Sequence, residues 1–371
     1  MTVKLAYPLR YASFYRFYWP IPLLFWLKAG FRRWLRTLLA VKKYGFLLLF
    51  VPLLFVALRA QAWGFFGHRL LNRLAVYTLP PGMIGFYKAN IDYLTVNATR
   101  PDSRRTVVPG EAPKHFLDVD RYGDSAEYKL PRKYADAIAR YGEDSLLRHG
   151  IVPWHVVSMK NQLTAAFKAK DTDRILSLSA DLGHYIADVC VPLHTTRNYN
   201  GQLTGQRGIH GLWESRLPEL LSADYDLFSG KAQYLPNATD AIWAAVIRSH
   251  AAVDSVLRFE KQLTAEMSDD QKFGYEQRGS QTIRTYSREF SKAYHARLNG
   301  QVERQLRYAS GLIGDFWFTC WVDGGSPDLR QLQYQPSVAE QQRLEREAKE
   351  TAAVPVAGSA PGHDEEISMG E

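Results

Sequence analysis

The chain has only two cysteines in 371 residues, Cys190 and Cys320, too few for a disulfide framework or a cysteine-rich zinc module. They either pair with each other or stay as two buried thiols, and the sequence does not choose between these. Beyond residue 62 no uninterrupted apolar run approaches the roughly 18 residues that a membrane-spanning helix needs, which excludes a membrane-embedded body. Long alternating runs of Val, Ile and Thr are also missing, which excludes a large sheet. Acidic residues are missing altogether from positions 1–62, which hold ten Lys and Arg side chains. The net charge of +8 therefore belongs to that leading segment, since the remaining 36 basic residues face all 38 acidic ones and leave the rest at −2. A body so close to neutral gives no general pull toward nucleic acid or anionic lipid.

What is present is a chain able to bury a core, with 46% apolar and 13% aromatic residues, so disorder is excluded for the body. The segment 41–62 reads as an export signal: Lys42 and Lys43, then thirteen apolar residues from Phe46 to Leu58, then the small-x-small motif Ala60-Gln61-Ala62. Cleavage between Ala62 and Trp63 would export the protein to the periplasm or beyond, with Trp63 as its first residue. The alternative is an uncleaved anchor that leaves Trp63 internal. Residues 1–40 are either a cytoplasmic extension or lie upstream of a true start near Val41.

The body reads as all-α, a single multi-helix domain over 63–325, followed by a polar tail over 326–371 that is disorder-like from 354 onward. Helical spacing of apolar residues runs over 68–79 (stopped by Pro80-Pro81), 131–149 (closed by Gly150), 154–170, 173–190, 240–259, 282–298 and 301–322. The stretches 97–111 and 195–208 read as loops.

Five of the ten histidines fall into patterns with carboxylates. His184 and Asp188 are four apart, as are His210 and Glu214, so each pair projects from one helix face, with His194 between them beyond Pro192. Imidazole with carboxylate is a donor set suited to Zn²⁺. His68 sits just after the expected cut in Trp63-Gly-Phe-Phe-Gly-His68, Asp102 lies in the 97–111 loop, and His115 opens His115-Phe-Leu-Asp118-Val-Asp120. The remaining histidines (His149, His155, His250, His295 and His363), with Trp154 and the aromatic run 316–321, read as surface or core residues. Arg104 and Arg105 read either as a solvated loop pair or, for Arg105, as a phosphate contact.

With these residues the chain resembles the zinc-dependent phospholipase C superfamily, which includes the single-strand-specific zinc nucleases; the motifs span about 63–220. The resemblance implies three zinc ions. One would be held by Asp102, His115, His184 and Asp188, a second by His194, His210 and Glu214, and a third by the Trp63 amine and carbonyl with His68, Asp188 bridging to the first. It implies hydrolysis of a phosphodiester, either a phospholipid head group or single-stranded nucleic acid. Arg105 is then a candidate for the phosphate oxygens, and Asp118 or Asp120 for orienting water or the His115 ring; Asp102 could also act as base. Trp-x4-His is the nuclease form, and Ala187 stands where the nucleases have Gly. The short gap from His194 to His210, Glu at 214, and too few cysteines for the nuclease disulfides favour the phospholipase side. A monomer is expected, and no stable protein partner can be inferred. The competing reading from another class is a non-catalytic, zinc-stabilised envelope protein.

Overall fold

The computed structural model describes residues 64–278, 281–338 and 341–342. The export signal, the expected cut and Trp63 therefore lie outside the described residues. The described residues belong to one compact unit, and among them no helix is long and apolar enough to cross a membrane.

Ten helices of seven or more residues occur among the described residues: α1 (Gly64–Val76), α2 (Pro81–Ala89), α3 (Ile91–Asn97), α4 (Tyr134–Tyr141), α5 (Glu143–His149), α6 (Val152–Ala169), α7 (Thr172–Val189), α8 (Ala238–Glu266), α9 (Arg288–Leu298) and α10 (Gln301–Asp323). The strands are a single antiparallel hairpin, β1 (Phe273–Arg278) and β2 (Gln281–Tyr286), with Phe273 opposite Tyr286. The fold is thus mostly helical, as the apolar spacing implies.

Helix α7 is the axis of the molecule, packed by α6, α10, α3 and α1. Asp171 caps its start by accepting from the Arg174 N–H, and Pro192 prevents its continuation. Thirteen of its eighteen residues are buried, including every one from Ser179 to Val189. A helix enclosed on all sides can carry ionisable groups only if they are paired or bind ions, and this one carries His184 and Asp188. Helix α1 crosses it closely. A Cβ on Gly183 would lie 2.0 Å from Asn72 Oδ1, and the Asn72 amide donates to the carbonyls of Leu94 and Ala180, tying α1, α3 and α7 together. His68, one turn before Asn72, consequently faces the same side of α7.

Two expectations about elements change. The expected helix over 131–149 is broken into α4 and α5 at Gly142, whose φ of +78° an L-residue adopts only with strain. The expected helix over 282–298 begins only at Arg288, capped by Ser287 accepting from the Phe290 N–H. Its first turn is replaced by strand β2, where Thr282, Ile283, Thr285 and Tyr286 favour extended backbone once a partner strand is available. Cys190 and Cys320 are both buried free thiols, and burial pushes both pKa values up to about 12. Packing also continues past residue 326: Leu329 is buried, and Tyr334 sits edge-on against Tyr93.

Candidate metal centre

Three short segments bring donors to α7. After α3 the helical turn Arg100–Arg104 carries Asp102. The 3₁₀ turn Ala112–His115 ends on His115, and Pro192–Thr195, a second such turn directly beyond α7, carries His194. The loop 195–208 then folds on itself through Asn side chains, with Asn198 Oδ1 accepting from Leu203 N–H and Asn200 Oδ1 from Gly208 N–H. Gly208, at φ +95°, starts the turn that bears His210. Residues Leu212–Arg216 form a π-helical turn that places Glu214, a local widening of the kind often found at functional sites.

These elements converge on one buried cluster of eight side chains. Asp188 Oδ2 lies 2.9 Å from His115 Nδ1 and 3.2 Å from His184 Nε2, while Asp102 Oδ1 is 3.7 Å from each of those nitrogens. The other Asp188 oxygen, Oδ1, lies 3.4 Å from His68 Nε2. Glu214 Oε2 approaches His210 Nε2 at 2.6 Å and His194 Nε2 at 3.4 Å, and its Oε1 is 3.8 Å from His68 Nε2. Three donor sets result, His68–His184–Asp188, Asp102–His115–His184 and His194–His210–Glu214, each with its ligand atoms within 4.8 Å of one another. Each set is of a size to hold a metal ion. Asp188 connects the first two sets, and Glu214 connects His68 to the third.

The imidazoles are prepared as ligands. A backbone carbonyl can only accept, so His184, His194 and His210 each donate an Nδ1 proton, to Ala98, His115 and Tyr199 respectively. Each then turns Nε2 toward the carboxylates, the nitrogen that a metal-bound histidine uses once its proton has left. Burial opposes charge on His184, but Asp188 and Asp102 overcome it and push its pKa up to about 9; Asp188 and Glu214 do the same for His194. Burial dominates at His115, down to about 4, and it also lowers His68, where His184 adds repulsion. Burial disfavours the Asp188 and Glu214 anions too, yet the surrounding imidazoles hold both well below the usual carboxylate range. The protein thus keeps strong anions beside imidazole nitrogens aimed at them, a donor set that fits a cation.

The other candidates are placed less centrally. Arg105 Nη1 lies 3.8 Å from Asp102 Oδ1, at the partly exposed edge of the cluster. Asp118 faces His149 Nδ1 at 3.6 Å. Asp120 accepts from the Thr196 hydroxyl and the Arg197 N–H, bracing the 195–208 loop. Asp118 is pushed up to about 7 by burial and by repulsion from Asp120. Behind His115 lies a group that the sequence does not point to: Glu111 with Arg104, Lys114, Asp181 and Tyr185. Its only signal is Glu111 standing four residues before His115, in a stretch that reads as loop.

A scan against protein-family models gives no match, and a search of curated proteins gives none either.

Proposed function

We propose that the protein is a zinc-dependent phosphodiester hydrolase of the phospholipase C type, with the fold of that superfamily, exported and cut before Trp63. The observation that carries this reading is the linkage of the three donor sets through Asp188 and Glu214, which supports one polynuclear centre over three isolated ion sites. Asp102, His115, His184 and Asp188 would hold one zinc; His194, His210 and Glu214 a second; His68 and Asp188, with Trp63, a third. Zinc at these positions would supply Lewis acidity, making water nucleophilic near neutral pH and neutralising charge on the phosphate oxygens.

The chain's own groups would do the rest. Asp102 is the carboxylate with most access to solvent, 21% exposed against 1% for Asp188, so it is placed to orient water or accept its proton. Arg105, beside Asp102, is placed to hold phosphate oxygens with its planar fork. The buried His115, His184 and Asp188 keep bulk water from the inner side of the centre.

The test is an activity panel on zinc-loaded protein beginning at Trp63, with phosphatidylcholine, single-stranded DNA and RNA, and a simple aryl phosphodiester, and with His184→Ala as control. Hydrolysis of phosphatidylcholine that disappears in the variant is expected. Activity on the nucleic acids alone would move the protein to the nuclease branch. Full zinc occupancy with no hydrolysis of any substrate would leave the non-catalytic envelope protein.

A further inference from the structure

His115 is oriented differently from three other histidines of the cluster. His184, His194 and His210 turn Nε2 inward and anchor Nδ1 on a backbone carbonyl. His115 is reversed. Its Nδ1 faces inward, 2.9 Å from Asp188 Oδ2 and 3.0 Å from His184 Nε2, and its Nε2 is buried without a hydrogen-bond partner. The carboxylate oxygen on that rear side is Glu111 Oε1, at 4.0 Å.

Glu111 is itself held firmly. It is 2% exposed. Lys114 Nζ donates to its Oε2 at 2.7 Å, Arg104 donates to its Oε1 through Nε and Nη2, and the Tyr185 hydroxyl donates to Oε1 as well. Arg104 also reaches Asp181 at 3.0 Å. Each member of this network is a near neighbour in the chain of a proposed ligand: Arg104 follows Asp102, Lys114 precedes His115, and Asp181 and Tyr185 flank His184. Two cations and two anions make the network neutral, so the burial of Glu111 needs no counter-charge from the metal centre.

We propose that Glu111 is a positioning residue of the metal centre: it accepts the His115 proton at Nε2, so that Nδ1 presents its lone pair to the ion. This rests on the metal-binding reading above. In the metal-free protein two carboxylates compete for that proton, Asp188 at Nδ1 and Glu111 at Nε2. With Nδ1 given to a cation, the His115 proton would be left on Nε2, where Glu111 Oε1 is the carboxylate oxygen that could accept it. A carboxylate acceptor also makes the imidazole a stronger donor than a carbonyl acceptor would. Among the described residues, His115 is the one cluster imidazole whose outward nitrogen has a carboxylate beside it and no backbone carbonyl to donate to.

The experiment compares wild type with Glu111→Gln, which keeps the shape but removes the charge. Zinc affinity is measured by chelator competition, and the His115 Nε2 proton by ¹H–¹⁵N NMR of the zinc-loaded protein. The expected result is one zinc equivalent weakened by about 10- to 100-fold, the others unchanged, with the His115 Nε2 proton moved upfield and exchanging faster. Tyr185→Phe, which removes one hydrogen bond to Glu111 and no charge, should weaken the same equivalent by a smaller factor, and it decides the matter if Glu111→Gln does not fold. A purely structural Glu111 would lower the melting temperature while zinc affinity and the His115 resonance stay as in wild type, and that result overturns the proposal. If wild type itself takes up no zinc, the metal-binding reading falls as well; if wild type binds zinc and the variants bind it equally, only the role of Glu111 falls.

Discussion

The donor cluster has two halves that are built in different ways. The half containing Asp102, His115, His184 and Asp188 is assembled on or against α7; both histidines are fully buried, and the ionic network of Glu111, Arg104, Lys114 and Asp181 lies behind it. The half containing His194, His210 and Glu214 is assembled after Pro192 by a loop, a short turn and a π-helical turn, with His210 and Glu214 12% and 13% exposed. Forming the core automatically forms the first half. The second depends on local devices: Asn-capped turns, Gly208 at positive φ, and braces from outside the loop. The helix-borne half should therefore be the tighter, earlier-filled part, and the loop-borne half the weaker and more adjustable one.

Ligand removal gives the largest expected effect and the most direct way to break this contrast. His184 belongs to two of the three donor sets, whereas His210 belongs to one. On the proposed function, His184→Ala should remove the zinc it holds with Asp102, His115 and Asp188, weaken the adjacent one at His68 and Asp188, and lower phosphodiester hydrolysis by at least about 10³-fold, while His210→Ala should remove one zinc and leave the others in place. Metal analysis after gel filtration checks this. Equal zinc loss in both variants would mean that the halves are not separate in strength.

Proton release provides a second, smaller effect. In the metal-free protein His184 and His194 are both held protonated, up to about 9, by the carboxylates around them and against the cost of burial. A ligand must lose its proton to bind an ion. Zinc binding at pH 7 should thus release two protons, one per half, and affinity should fall by up to roughly tenfold per proton for each pH unit below about 9. The same shifts stabilise the metal-free fold fully below the ordinary histidine pKa near 6.5, and that contribution is lost as the pH rises through about 9. Calorimetric zinc titrations in buffers of different ionisation enthalpy count the protons. With His210→Ala the count should drop toward one; a count that stays at two would tie both protons to the helix-borne half.

The same contrast governs how much is legible in the sequence. His184 and Asp188 are readable because an i,i+4 pair in a long apolar helix fixes its own geometry, and His210 with Glu214 keeps that spacing even though the turn between them is π-helical. The split at Gly142 escapes a reading of the sequence because apolar spacing runs through a single glycine without interruption. Strand β2 escapes it because Thr282 to Tyr286 is extended only by virtue of pairing with Phe273 to Arg278, which local spacing cannot reveal. Glu111 is hidden for a similar reason. Tyr185, which donates to it, and Asp181, which pairs with Arg104, come from α7, about seventy residues away, and Arg104 beside Asp102 looks in sequence like any exposed loop cation. Asp118 and Asp120 are visible as carboxylates near His115, but which way each faces is decided by His149 and the 195–208 loop.

The finest test concerns what braces the weaker half. Arg216, two residues after Glu214 and 3% exposed, donates through both Nη atoms to Glu276 on β1. From the same hairpin Tyr286 packs over Gly208, where an added Cβ would lie 3.5 Å from its ring. The hairpin thus grips the His210–Glu214 segment at both ends, which gives a functional sense to the only strands among the described residues. Glu276→Gln leaves an acceptor but takes away the charge from a nearly buried guanidinium. A charge-assisted pair of this kind is worth about 1–3 kcal/mol. Part of that loss should appear as looser placement of Glu214, weakening the zinc held by His194, His210 and Glu214 a few-fold while the helix-borne equivalents keep their affinity. Chelator competition resolves the equivalents. If Glu276→Gln instead weakens all three alike, the hairpin supports the whole fold and the division into halves is wrong; if it weakens none, the 195–208 loop holds the segment unaided.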